Sequence, residues 1–244
     1  DNVELLVQQV TMPDGYTSKM TSMLKSGGAL NYDFTSFTNY KYSQLASDRQ
    51  VNIRLPIQNS RCKSILAIPV DATVYTTKQA VRCATTYTTN KILLDTGGAH
   101  GTNNSTRSGL VGICDMASNY QFIYDGKLNP SRKVPTNRIA TIENQYQGMD
   151  QQWLIEAEKA LYMSGIEPLS FRQYQKNWFI GRALSLQDGV YDARGKDFNL
   201  QVEYTESTGG EGGTGAPTKP HLWNCFVCHL RRIVVRGDAI SCEV

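Results

Sequence analysis

Along most of this chain apolar and polar residues alternate with a period of two. That alternation restricts the chain to strands with one face on a core. Val3 to Thr11, Ala29 to Tyr42, Gln50 to Ile57, Ser64 to Val70, Tyr120 to Tyr124, Trp178 to Leu186, Phe198 to Tyr204 and Leu222 to Val235 read as strands, rich in β-branched and aromatic residues. One stretch breaks the rule. From Gly148 to Gly165 the spacing is helical, with Met149, Trp153, Ala157, Ala160, Leu161 and Ser164 on one stripe and Gln152, Glu156 and Lys159 opposite. Eight strands with a helix between the fifth and sixth predict an all-β sandwich with one inserted α-helix, not an α/β enzyme.

The 244 residues form a single expected domain, 1–244, because no internal repeat or linker divides them. Two polar excursions, Asp95 to Ser105 and Ser207 to Pro217, carry almost nothing that could support a core and are expected as long exposed loops. A formal net charge of +3, with Lys and Arg scattered, argues against a specific nucleic-acid groove. No apolar run approaches the length of a membrane span. Cys62, Cys83, Cys114, Cys225, Cys228 and Cys242 form no dense framework; a reduced intracellular setting is favoured, although the even count leaves disulfides open. Overlapping sequons at Asn103 to Thr106 mark a polar loop.

Four short motifs touch on chemistry. Cys225-Phe226-Val227-Cys228-His229 spells a haem-attachment pattern and half of a zinc site. Residues three apart in a strand face opposite sides, however, so both thiols are expected as buried small side chains, with neither cofactor nor metal. Arg236-Gly237-Asp238 matches an integrin-type recognition triplet, and its plain alternative is a glycine turn flanked by charges. Gly210 to Gly215 matches a dinucleotide fingerprint, but Ala216-Pro217 cannot open the helix that such a site needs. Paired acids, Asp188 with Asp192 and Glu156 with Glu158, have no nearby nucleophile and read as solvated. No catalytic residue is expected.

The order of elements says more. The run Gln58 to Val70, carrying basic and small residues, is followed by a long loop and then by the aromatic strand Tyr120 to Tyr124, which ends in Gly126-Lys127-Leu128-Asn129-Pro130. This pair, with the proline-marked Arg132 to Pro135 after it, resembles the strand pair of double-jelly-roll major capsid proteins. Met149 to Gly165, Asn177 to Leu184 and Leu230 to Gly237 follow in matching order for the C-terminal barrel of that family. The similarity is greatest to adenovirus-like elements, polintons and virophages, and it extends over nearly the whole chain in pattern.

The resemblance implies an eight-stranded jelly-roll β-sandwich, and the helical stripe predicts that Met149, Trp153, Ala157 and Leu161 pack the inserted helix onto its core. It also implies a virion capsid protein, made in the host cell, that joins other capsid proteins and self-assembles through its barrel walls. Trimers giving pseudo-hexagonal capsomers of an icosahedral shell are the expected assembly. A chain of 244 residues holds one barrel, so it is expected either as half of a longer capsid protein, consistent with Asp1 in place of Met, or as a single-barrel shell protein. The alternative is a β-sandwich recognition module that binds a cell receptor or glycan through its loops and Arg236, Gly237 and Asp238.

Overall fold

Strand alternation of the kind described above must be answered by a second apolar face, and the chain provides one by folding back on itself. The computed structural model of the chain describes residues 11–72, 112, 117–136, 151–167, 178–185, 189–204, 217, 220–237 and 239–243. Two compact units emerge, one of Thr35–Leu230 and one of Asp1–Phe34 with Arg231–Val244.

The described elements are α1 (Asp14–Lys25), β1 (Ala29–Gln44), β2 (Gln50–Leu55), β3 (Cys62–Asp71), β4 (Ala117–Tyr124), β5 (Lys127–Pro135), α2 (Gln151–Met163), β6 (Ile180–Ala183), β7 (Phe198–Tyr204), β8 (His221–Arg236) and β9 (Ala239–Glu243). One sheet runs β1-β8-β3-β6, with β9 added on β8; the other runs β2-β7-β4-β5. The pairs are nested: β4 with β5, β3 with β6, β2 with β7 and β1 with β8. Successive pairs go to alternate sheets, so a long hairpin is rolled into a two-sheet sandwich. That topology is a jelly roll.

Register builds the core. Across the second sheet Val51, Val202 and Tyr120 form one rung, Ile53, Leu200 and Phe122 the next, and Leu55, Phe198 and Tyr124 the third. All nine are buried. The first sheet presents Ile65 beside Val227 and Ala67 beside Cys225, all within the same buried cluster. Burial along β7 alternates strictly, the signature of a strand with one face on a core.

Helix α2 packs on β6 and β3. Trp153 and Ala157 are fully buried and Leu161 nearly so, whereas Met149 lies outside the described residues. The Trp153 indole Nε1 donates to the Phe179 carbonyl at 2.7 Å, and its ring stacks on Trp178 at 6.2 Å. Small residues let helix and strand approach closely. A Cβ on Gly181 would stand 2.8 Å from the Ala160 Cβ and 2.9 Å from the Ala157 Cα, so only glycine fits there. The helix ends in a glycine cap: Ile166 N–H donates to the Leu161 carbonyl at 3.0 Å, and Gly165 takes φ +71.

Several elements depart from the alternation and helix patterns. β5 carries Pro130 and Pro135, which disguise it in sequence; as the edge strand of its sheet it can hold residues without an N–H. β9 was hidden in what reads as a terminal turn. α1 is a second helix where one was expected, and it buries no residue, so no apolar stripe announced it. The expected strand Val3 to Thr11 lies outside the described residues apart from Thr11, which is not in a strand. Asp95 to Ser105 also falls outside them, as do Cys83, Cys114 and the glycine-rich run Gly209 to Gly215.

In the smaller unit the end of β8 pairs with β9 from Arg232 with Glu243 to Arg236 with Ala239, and the Arg232 guanidinium holds the Asp33 carboxylate at 2.8 and 3.0 Å.

The seating of α2 gives a direct test. Gly181→Ala should force helix and strand apart and cost about 1–3 kcal/mol, and Trp153→Ala should cost about 3–5 kcal/mol. Chemical denaturation reads both; unchanged midpoints would place α2 away from the sheet.

Candidate assembly surface

Edges and outward faces are where a sandwich meets other molecules, and one edge here is closed by charge. Arg182 lies on the four-residue edge strand β6, and its guanidinium donates to the Glu156 carboxylate of α2 and to the Asn129 side-chain oxygen of β5. The Arg182 and Glu156 side chains are only 16% and 11% exposed, so the pair is largely withdrawn from water. Asn129 in turn donates to the Tyr124 hydroxyl. One cation thereby ties the helix to both sheets. Glu156 reads in sequence as a solvated acid; the structure buries it because Arg182 reaches it at the sheet edge. Beside them, burial and the Glu156 charge push the Tyr120 hydroxyl well above its ordinary pKa.

The cysteine segment lies along β8. Cys225 pairs with Ala67 and enters the inter-sheet core, while Cys228 pairs with Ser64 and meets the hydroxyls of Ser64 and Ser164. The two thiols occupy opposite faces of the strand and cannot share one metal or haem. Burial raises the Cys225 thiol to about 12; Cys62 is raised to about 12 by burial, with Asp192 adding to the rise. His229 and His221 are buried, with Nε2 of the first 3.0 Å from Thr38 Oγ1 and Nδ1 of the second 3.4 Å from the Tyr204 hydroxyl. Among the described residues no group of three or more His, Cys, Asp or Glu side chains is placed to hold a metal. None of the described helices is long and apolar enough to cross a membrane.

Arg236 and Gly237 stand at the β8–β9 connection, both exposed, with Gly237 at φ +53; Asp238 lies outside the described residues. No short motif marks the Arg182 network, whose members are 26 and 53 residues from Arg182 in sequence.

The ion pair and the thiols yield two tests. Arg182→Met should cost about 3 kcal/mol by stranding a buried carboxylate, and adding Glu156→Leu should recover much of that loss. A double-mutant cycle in urea measures it, and additive losses would deny the coupling. A thiol reagent at pH 8 should label exposed Cys242 in the folded protein but reach Cys62, Cys225 and Cys228 only after denaturation. Peptide mapping that finds those three labelled in the native state would contradict their burial.

No protein-family model and no curated protein sequence matches the chain. Solved structures do. The fold is similar to that of PBCV-1 VP54, fitted into a cryo-EM reconstruction of the virophage Sputnik, with a TM-score of 0.50 and 10% identity, over 93% of this chain and 54% of that one. A quasi-atomic model of the PBCV-1 virus capsid gives a TM-score of 0.49 at 10% identity over 93% of this chain and 54% of that one. The cryo-EM structure of the Sputnik virophage gives 0.40 at 11% identity over 88% and 39%. The chain therefore spans about half the length of the VP54 chain it matches, and over that half the two share a jelly-roll fold.

Proposed function

We propose that this chain is a structural capsid protein, one barrel that self-assembles through its walls into trimeric, pseudo-hexagonal capsomers of an icosahedral shell. The observation that carries the reading is the complete jelly-roll strand order, matched to VP54 over 93% of this chain but only 54% of that one. A single barrel matched to about half of a longer chain fits a shell in which barrels stand side by side. In this reading the protein works in the virion by association with copies of itself and other capsid proteins, and its chemistry is burial of surface rather than catalysis.

A second reading rests on a separate observation. Arg236 and Gly237 sit exposed at a hairpin connection, where an adjoining Asp238 would suit a module binding a cell receptor or glycan. The two readings make opposite demands on the same residues. Under the capsid reading, a shortened Gly209 to Gly215 run, and separately Asp238→Ala, should still assemble to the wild-type size by light scattering, because assembly draws on surface buried along the barrel walls. Loss of cell or glycan binding by an otherwise monomeric protein after either change would replace the capsid reading with the recognition one.

A further inference from the structure

A sheet can go on growing at its edge strands, and among the described residues all of these but one are guarded. β2, β6 and β9 are four to six residues long, and β6 is closed further by the Arg182 network. β5 carries Pro130 and Pro135. β1 has none of these devices. It runs sixteen residues without a proline, well beyond the ~10 of an ordinary strand, and among the described residues only β8 pairs with it. Half of its backbone N–H and C=O groups therefore face away from β8.

Another strand satisfies groups of that kind, and the β1 sequence is complementary to itself. Thr38 beside His229 and Gln44 beside Trp223 put the even-numbered positions on the core side, so Asp33, Phe37 and Lys41 share the outer side. A two-fold axis perpendicular to the sheet preserves the two sides, setting even positions opposite even and odd opposite odd. With the axis at Phe37, antiparallel copies of β1 place Asp33 opposite the second copy's Lys41 and Phe37 opposite itself. On the other side Phe34 meets Tyr40 and Tyr32 meets Tyr42. Asp33 and Lys41 are the only charged residues of β1, and no other axis position pairs them. An axis at Ser36 or Thr38 sets Asp33 opposite Asn39 or Ser43 instead. Phe37 is 43% exposed, and Tyr32, Phe34 and Tyr42 are exposed as well. The Asp33 carboxylate already holds Arg232 at 2.8 and 3.0 Å, and its remaining lone pairs can accept a second cation.

We propose that β1 is an isologous pairing edge whose occupant is β1 of a second copy of this chain, so that two sheets join into one across a two-fold axis at Phe37. Main-chain hydrogen bonds supply the affinity, and the two Asp33–Lys41 pairs fix the register. A lysine on an edge repels most strands; here it selects the strand that offers an acid in the matching place. The contact runs edge to edge, unlike burial on barrel walls, and does not depend on the capsid reading.

Cross-linking of the full chain at about 100 µM under mild oxidation, in a Cys242→Ser background, reads the register. Phe37→Cys should give a covalent dimer, because position 37 faces its own copy within disulfide reach. Asn39→Cys should not, since position 39 stands roughly 14 Å from its own copy along the strands. In sedimentation equilibrium, Phe37→Lys should weaken a two-fold association step at least about tenfold by setting two cations face to face, and Lys41→Glu should weaken it by facing Asp33. Circular dichroism should stay that of the wild type, because both side chains are exposed. Tyr162→Lys, at an exposed aromatic on α2, should leave the step unchanged. A wild-type chain without the step, equal cross-linking of Phe37→Cys and Asn39→Cys, wild-type association of Phe37→Lys, or equal loss in Tyr162→Lys would each overturn the proposal. Slow amide exchange along both edges of β1 in a chain that stays monomeric would overturn it too, by giving the edge to another segment of the same chain. Trimers that persist in Phe37→Lys report on the barrel walls, so the two readings fail independently.

Discussion

Register between strands is the constraint on which this structure depends. Each strand of the sandwich has one face for the core and one for the outside, so a slip of one residue would exchange the two completely. In β2 such a slip would turn Val51, Ile53 and Leu55 outward and bring Asn52 and Arg54 in. The three rungs that cross β2, β7 and β4 prevent this by making every inward position of one strand the neighbour of an inward position on the next. The hydrophobic effect supplies the energy, and the ladder decides which residues receive it.

Polar groups inside the sandwich refine that arrangement. Gln44 Oε1 accepts from the Trp223 indole at 2.7 Å and from the Tyr204 hydroxyl at 3.1 Å, joining the ends of β1, β8 and β7. At another edge Arg182 joins α2, β6 and β5. A buried polar atom tolerates only arrangements that keep its partners, whereas an apolar side chain tolerates many. These bonds therefore discriminate among packings that burial alone would rank equally, although their net contribution to stability is modest.

Much of the framework could be read from alternation, and each exception has a physical cause. β7 was found at its observed bounds, Phe198–Tyr204, because it is buried on one face along its whole length. The inserted helix was found through Trp153, Ala157 and Leu161. β5 was missed because its prolines are permitted only by its edge position, a property of the sheet and not of the segment. α1 was missed because it buries nothing. Glu156 was misplaced because its partner, Arg182, is 26 residues away, and no local pattern can announce a pairing across that distance. Tertiary neighbours decided β5 and Glu156, whereas α1 has no buried stripe to read.

The nesting of strand pairs also sets the timing of synthesis. β4 and β5 are joined by a two-residue turn, with Asp125 and Gly126 both at positive φ, and can pair as soon as both are made. Each later pair encloses the one before it. The outermost, β1 with β8, brings together residues such as Thr38 and His229, 191 positions apart. A ribosome working from the N-terminus therefore releases β1 long before its neighbour exists, and the roll can close only once β8 has emerged. Until then the nascent chain carries β1 unpaired, with Phe37 and Tyr40 on it, and the interval between the two strands is the period in which that strand must be kept from other chains.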